Sequence, residues 1–124
     1  MARTPEAAVK DAVKKRLAHH KVYPFDAVAA GRHPDAVGTY YMPVAGPFSV
    51  HGVHDFVICW RGVFCTIETK APNESQDETV HQGRFRTAVT ATGGISLTGV
   101  RDAGAVDHLA QLVERKHHDQ VHEA

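Results

Sequence analysis

The chain lacks most of what would tie it to a membrane, a secretory route or a bulk polyanion. No apolar run approaches the roughly 20 residues of a transmembrane helix. The opening Met1-Ala2-Arg3-Thr4-Pro5 leads into no apolar stretch of the kind a signal peptide carries. A cytoplasmic, intracellular chain with no membrane partner is therefore expected. Neither charge is in excess: 14 Lys and Arg balance 14 Asp and Glu. That excludes the overall basicity of a tight non-specific nucleic-acid binder, so any hold on phosphate must come from a local patch. Cysteine is scarce, at two residues. Their C-x5-C spacing is wrong for a zinc knuckle, and both read as small buried hydrophobes. Internal repeats and low-complexity segments are absent. What remains is 124 residues with 43% hydrophobic content, which fits one domain over residues 1–124 around a single core.

The most informative stretch runs from Gly52 to Lys70. Phe56–Trp60 and Val63–Ile67 are two apolar runs on either side of Arg61-Gly62, the pattern of a tight hairpin. With Arg61-Gly62 as the turn, Trp60 pairs with Val63 and the ladder runs back to place Glu68 opposite Asp55. Opposed residues of an antiparallel pair share a face, and alternation puts Lys70 on that face too. A three-residue loop would shift the register and send the acids to opposite faces. The same register puts Cys59 opposite Phe64 and Cys65 opposite Ile58, on opposite sides of the sheet, so no internal disulfide is expected. Two carboxylates side by side repel, and a cation relieves the repulsion. Hard oxygen ligands suit Mg²⁺ or Mn²⁺, and a neighbouring lysine can steady charge on a phosphorus centre. The bland alternative is a solvated cross-strand ion pair. Strands this apolar belong to a sheet covered on both faces, and charges at their ends sit at its rim.

The remaining segments give an order of elements. Thr4 caps a helix over about 5–20, with Pro5 in its first position and Val9, Val13 and Leu17 as its apolar stripe. Glu6 lies near that stripe, which leaves two roles open: reaching a metal, or complementing the helix dipole. Lys10 and Lys14 belong to the most basic part of the chain, a phosphate-contacting surface or a solvated helix face. Val22–Ala30 and Val37–Val44 read as extended. Gly46-Pro47 and Gly52 mark a loop. In the second extended segment Tyr40 and Tyr41 read either as base-stacking rings or as one core ring and one surface ring. After a polar loop over 71–78, Thr79 caps a helix to about Thr92 that carries Gln82, Arg84 and Arg86. The two arginines are candidates for a bidentate hold on phosphate. Ile95–Val100 forms a strand, and Asp102 caps a last helix with a frayed tail from about residue 115. The order predicts an α/β architecture: a mixed sheet of four to five strands flanked by helices. The first three strands are expected to be antiparallel neighbours, and the last to join by a crossover through the helix at 79–92.

Gly52-x-x-Asp55, an apolar strand, a glycine turn, then Ile67-Glu68-x-Lys70 resembles the core of the PD-(D/E)XK nuclease superfamily. Thr79-Val80-His81-Gln82 matches the T-x-x-Q opening of the following helix, and Glu6 supplies the early glutamate. Together these resemble the VRR-NUC branch, which is similar to phage and archaeal Holliday-junction resolvases, over roughly residues 4 to 113. His54 departs from the pattern, standing where the family has proline. The resemblance implies a restriction-endonuclease-like fold of phage type and a metal-dependent endonuclease. Asp55 and Glu68 would bind Mg²⁺ or Mn²⁺ with the backbone carbonyl of Thr69. Lys70 would orient the attacking water, assisted by Gln82 and Glu6. The implied partner is DNA, branched or duplex, and symmetric cutting of a junction implies a homodimer. Two other readings stay open: a non-catalytic DNA-binding module on the same fold, and a nicking, single-strand or RNA-directed nuclease that uses Tyr40 and Tyr41.

Overall fold

The computed structural model describes residues 3–44 and 50–122. Gly46 and Pro47, read as part of the loop into the hairpin, lie outside the described residues. The elements run α1 (Pro5–His19), β1 (Val22–Pro24), α2 (Phe25–Ala29), β2 (Gly38–Tyr41), β3 (Phe56–Trp60), β4 (Val63–Thr69), α3 (Val80–Ala91), β5 (Ile95–Val100) and α4 (Gly104–His122). The five strands form one sheet in the order β1-β2-β3-β4-β5. It is mixed: β1/β2 and β4/β5 are parallel, β2/β3 and β3/β4 antiparallel. No helix among the described residues is long and apolar enough to cross a membrane.

Local chemistry sets most boundaries. Thr4 caps α1, its hydroxyl accepting from Ala7 N–H, and Pro5 opens the helix. Thr79 caps α3 and Thr92 closes it. Asp102 Oδ1 accepts from Gly104 N–H at the start of α4, which then runs unbroken to His122. In the β3–β4 hairpin Arg61 (φ 50°) and Gly62 (φ 78°) both take left-handed conformations, the type I′ turn that matches strand twist. Trp60 accordingly faces Val63, and the ladder runs back to Phe56 opposite Ile67.

Val9, Val13 and Leu17 of α1, with Val106, Leu109 and Val113 of α4, bury one face of the sheet against Phe56, Ile58, Trp60, Cys65 and Ile67. On the other face α3 covers the end carrying Thr66 and Glu68. Beyond it Cys59 and Phe64 stay exposed, so of the two cysteines only Cys65 is the buried hydrophobe expected, and both are free thiols.

The first three strands are not all antiparallel neighbours. The extended segment expected over 22–30 ends at Pro24, where the alanine-rich Asp26–Ala29 turns into α2. Residues 25–37 then form a connection long enough to bring the chain back parallel, with Val37 N–H donating to Lys21 O. The parallel β4/β5 pair is joined through α3, as expected.

Candidate active site

The rung beyond Phe56–Ile67 is Asp55 and Glu68, and there the two acids meet. Asp55 N–H donates to Glu68 Oε1 at 3.0 Å. The Asp55 carboxylate turns to Thr69: Oδ2 accepts from Thr69 N–H at 2.8 Å and from its hydroxyl at 2.6 Å. On the other side Lys10 Nζ stands 3.5 Å from Asp55 Oδ1 and 3.8 Å from Glu6 Oε1. A register break between Ile67 and Thr69 against β5 lies at this point; such irregularities re-aim side chains at functional sites.

Gln82 ties the rest together. Its N–H donates to Thr79 Oγ1, and its Oε1 accepts from Thr79 N–H at 2.8 Å, a reciprocal capping box. The same Oε1 accepts from Lys70 Nζ at 3.1 Å. With that oxygen committed, the amide nitrogen faces Glu68 and donates to Oε2 at 2.8 Å. Lys70, Gln82, Glu68 and Asp55 thus form one continuous hydrogen-bonded chain.

Glu68 is only 4% exposed. Burial, and then the charge of Asp55, push its carboxyl up to about 8; Lys70, the bond from Asp55 N–H and Lys10 act the other way. The Glu68 carboxyl is thus held back from ionising first by its loss of water and second by the neighbouring Asp55 charge.

Behind Glu68 lies a wholly buried His54. Its Nε2 bonds to the Gln82 carbonyl at 3.0 Å and its Nδ1 to Thr66 Oγ1 at 2.9 Å. Burial holds its pKa below the usual histidine value, which keeps the ring neutral. A carbonyl can only accept, so Nε2 carries the proton and Nδ1 receives one from the linked hydroxyls of Thr66 and Ser96, 2.7 Å apart. The ring also meets Phe85 edge-on. A proline here could make none of these bonds. Just upstream, Gly52 (φ 85°) packs so tightly on α3 that a Cβ would lie 2.3 Å from the His81 carbonyl oxygen, which only glycine permits.

No family model matches the chain, and no curated protein does. A solved structure described as a VRR_NUC domain matches over 88% of this chain and 97% of that one, with 22% identity and a TM-score of 0.56. The fold is that of a VRR_NUC domain. On it, Glu6, Lys10, Asp55, Glu68, Thr69, Lys70 and Gln82 gather at one end of the sheet. Glu6 is joined to the acids through Lys10. Lys14 lies a turn further along α1 and pairs with Asp11 at 3.7 Å. Arg84 and Arg86 stand apart: Arg84 is exposed, whereas Arg86, expected to hold phosphate, is taken up by Glu78 through two bonds of 2.9 and 2.8 Å. That pairing follows from Glu78 preceding the Thr79 cap and turning back over the first turns of α3.

Three features of the site escape the sequence reading. The Thr69 hydroxyl clamps Asp55, whereas the motif implies a role for its carbonyl alone. Lys10 touches Asp55, although the four-residue spacing of Glu6 and Lys10 already put both on one helix face. His54 supports the Gln82 backbone, and no local pattern signals that. Among the described residues no three His, Cys, Asp or Glu side chains form a metal cage. Two carboxylates and a backbone carbonyl nonetheless fit Mg²⁺, which is commonly held by one or two carboxylates with substrate oxygens and water.

Proposed function

We propose that the chain is a Mg²⁺- or Mn²⁺-dependent endonuclease of the VRR-NUC type that hydrolyses DNA phosphodiester bonds in branched or structured DNA. The observation that carries this reading is the bonded chain Lys70–Gln82–Glu68–Asp55, assembled at the sheet end of a nuclease-type fold.

Asp55 and Glu68, with the Thr69 carbonyl, would hold the cation; burial first and the Asp55 charge second lift the Glu68 pKa, and a divalent ion would oppose both by favouring the ionised carboxylate. When bound, the ion supplies Lewis-acid stabilisation of the phosphoryl oxygens. The protein's own groups do the positioning. Thr69 fixes Asp55 through two donors, leaving Oδ1 toward Lys10. Gln82 holds Lys70 by one of its three ammonium protons, so two remain for an attacking water and a phosphate oxygen. Lys70 thereby orients the water for in-line attack, with no covalent intermediate, and steadies charge as it builds on phosphorus. Lys10 balances Asp55 and faces the entering strand. Symmetric cutting of a junction needs two such sites, which a C₂ homodimer supplies.

The test is cleavage of a labelled four-way junction beside linear duplex and single strand, with Mg²⁺, Mn²⁺ or EDTA, by wild type and Lys70→Ala. Metal-dependent cutting is expected, reduced at least ~100-fold by Lys70→Ala. Junction binding without cutting of any substrate would replace the enzyme by a binding module. Cutting that survives Lys70→Ala would move the site elsewhere.

A further inference from the structure

Two exposed aromatic rings lie on the same end of the sheet as the acids, and neither belongs to the site above. Phe25 is 53% exposed and Tyr41 49%. Their centroids are 5.7 Å apart in an edge-to-face pair. Of the two tyrosines singled out in the sequence, Tyr40 is buried against Phe56, so only Tyr41 is presented to solvent. Its partner comes from α2, the short helix that stands where an extended segment is expected. Phe25 and Tyr41 line a cleft of about 390 Å³ with Lys14, Asp26, Tyr40 and Met42, a volume within the roughly 300–1,000 Å³ of small-ligand sites.

The register places this cleft beside the acids. Tyr41 pairs with Val57, two residues along β3 from Asp55. One strand spacing and two residues of rise separate Tyr41 from Asp55 by roughly 8 Å between Cα atoms. Lys14 is one helical turn from Lys10, which touches Asp55. Lys10 and Lys14, paired on α1 with Glu6 and Asp11, thus lead from the acids to the cleft, and the rings flank the far end. Asp26, in the same cleft, repels phosphate and leaves Lys14 as its phosphate-facing side. The pair leaves about half of each ring in water, and every base offers a π-face to such a pair.

We propose that Phe25 and Tyr41 form a stacking platform for an unpaired base of the DNA strand entering the site, with Lys14 on the adjoining phosphate. This rests on the nuclease reading and adds to it a preference, among branched substrates, for DNA with unpaired nucleotides within a step or two of the scissile bond, such as flaps and splayed arms. Fully paired duplex has no free base to offer.

The experiment pairs a splayed-arm DNA, carrying the fluorescent base 2-aminopurine beside the branch, with a fully paired nicked duplex. Wild type is compared with Phe25→Leu/Tyr41→Leu, which keeps apolar area but removes both π-faces, and with Phe25→Tyr/Tyr41→Phe, which keeps them. Fluorescence quenching reports stacking, and cleavage with Mg²⁺ reports activity. The leucine variant is expected to lose the quenching and to bind and cut the splayed arm about 5- to 100-fold less well. Its action on the nicked duplex should stay unchanged, and the Tyr/Phe exchange should restore the splayed-arm values. Quenching that depends on the rings without any cleavage would keep the platform and sink the nuclease. Equal cutting of the splayed arm by wild type and leucine variant would keep the nuclease and overturn the platform. Absence of both quenching and cutting would overturn both. Both rings are about half exposed, so the leucine variant should melt only slightly lower than wild type through loss of the ring contact, and the Tyr/Phe exchange should melt with wild type.

Discussion

Glu68 has almost no water to share its charge with, and that makes it the residue whose protonation the fold feels most. Its carboxyl titrates near 8 in the folded protein against 4.5 for the free side chain. Between those values the folded state binds the extra proton, so stability must fall as pH rises. The contribution is fully present below about 4.5 and is lost as pH passes through about 8. The metal-free protein should therefore show a melting temperature that declines from pH 5 to 8, and Glu68→Gln should flatten that decline. An unchanged slope in the variant would mean that another group titrates. Added Mg²⁺ should oppose the decline, because a cation favours the ionised form. At this scale the sequence was informative where a short-range rule applied. Arg61-Gly62 set the hairpin register, so Asp55 and Glu68 could be paired on paper. His54 was not legible, because its two partners come from β4 and α3 and only the folded chain brings them together.

Among the elements, α3 does two jobs with one turn. Its capping box uses the same Gln82 amide that holds Lys70 and Glu68. Thr79→Ala should cost about 1 kcal/mol in stability. It should also reduce cleavage roughly tenfold or more, since small displacements of positioning groups are expensive. Denaturant melts and turnover measured on the same sample check both; a stability loss with full activity would show that Gln82 keeps its place without the cap. Helices α1 and α3 could be drawn nearly to the residue, because caps and apolar stripes are local signals. Strand β1 could not. Three residues carry little pattern, and its parallel pairing depends on where α2 returns the chain. The separation of Arg86 from the site was equally hidden, since nothing in its own helix reveals that Glu78 folds back onto it.

Across the whole molecule, positive and negative charges cancel, so attraction to DNA has to be local. On the proposed reading Lys10, Lys14 and Lys70 are the cations that meet phosphate, and neutralising about three phosphates gives a slope of about −3 for log affinity against log salt. Titrating splayed-arm binding from low to physiological salt checks this; a slope near −8 would demand a second basic surface or a second subunit. The apolar core lies under α1 and α4, on the face away from α3, and the acids and lysine sit at the rim held by the first turn of a helix. Helix ends fray before cores melt. Heat should thus strip the protein of order at Gln82 while Leu17, Ile58 and Leu109 are still packed, so the working temperature of this molecule is set by one turn of α3 and lies below the temperature at which its sheet comes apart.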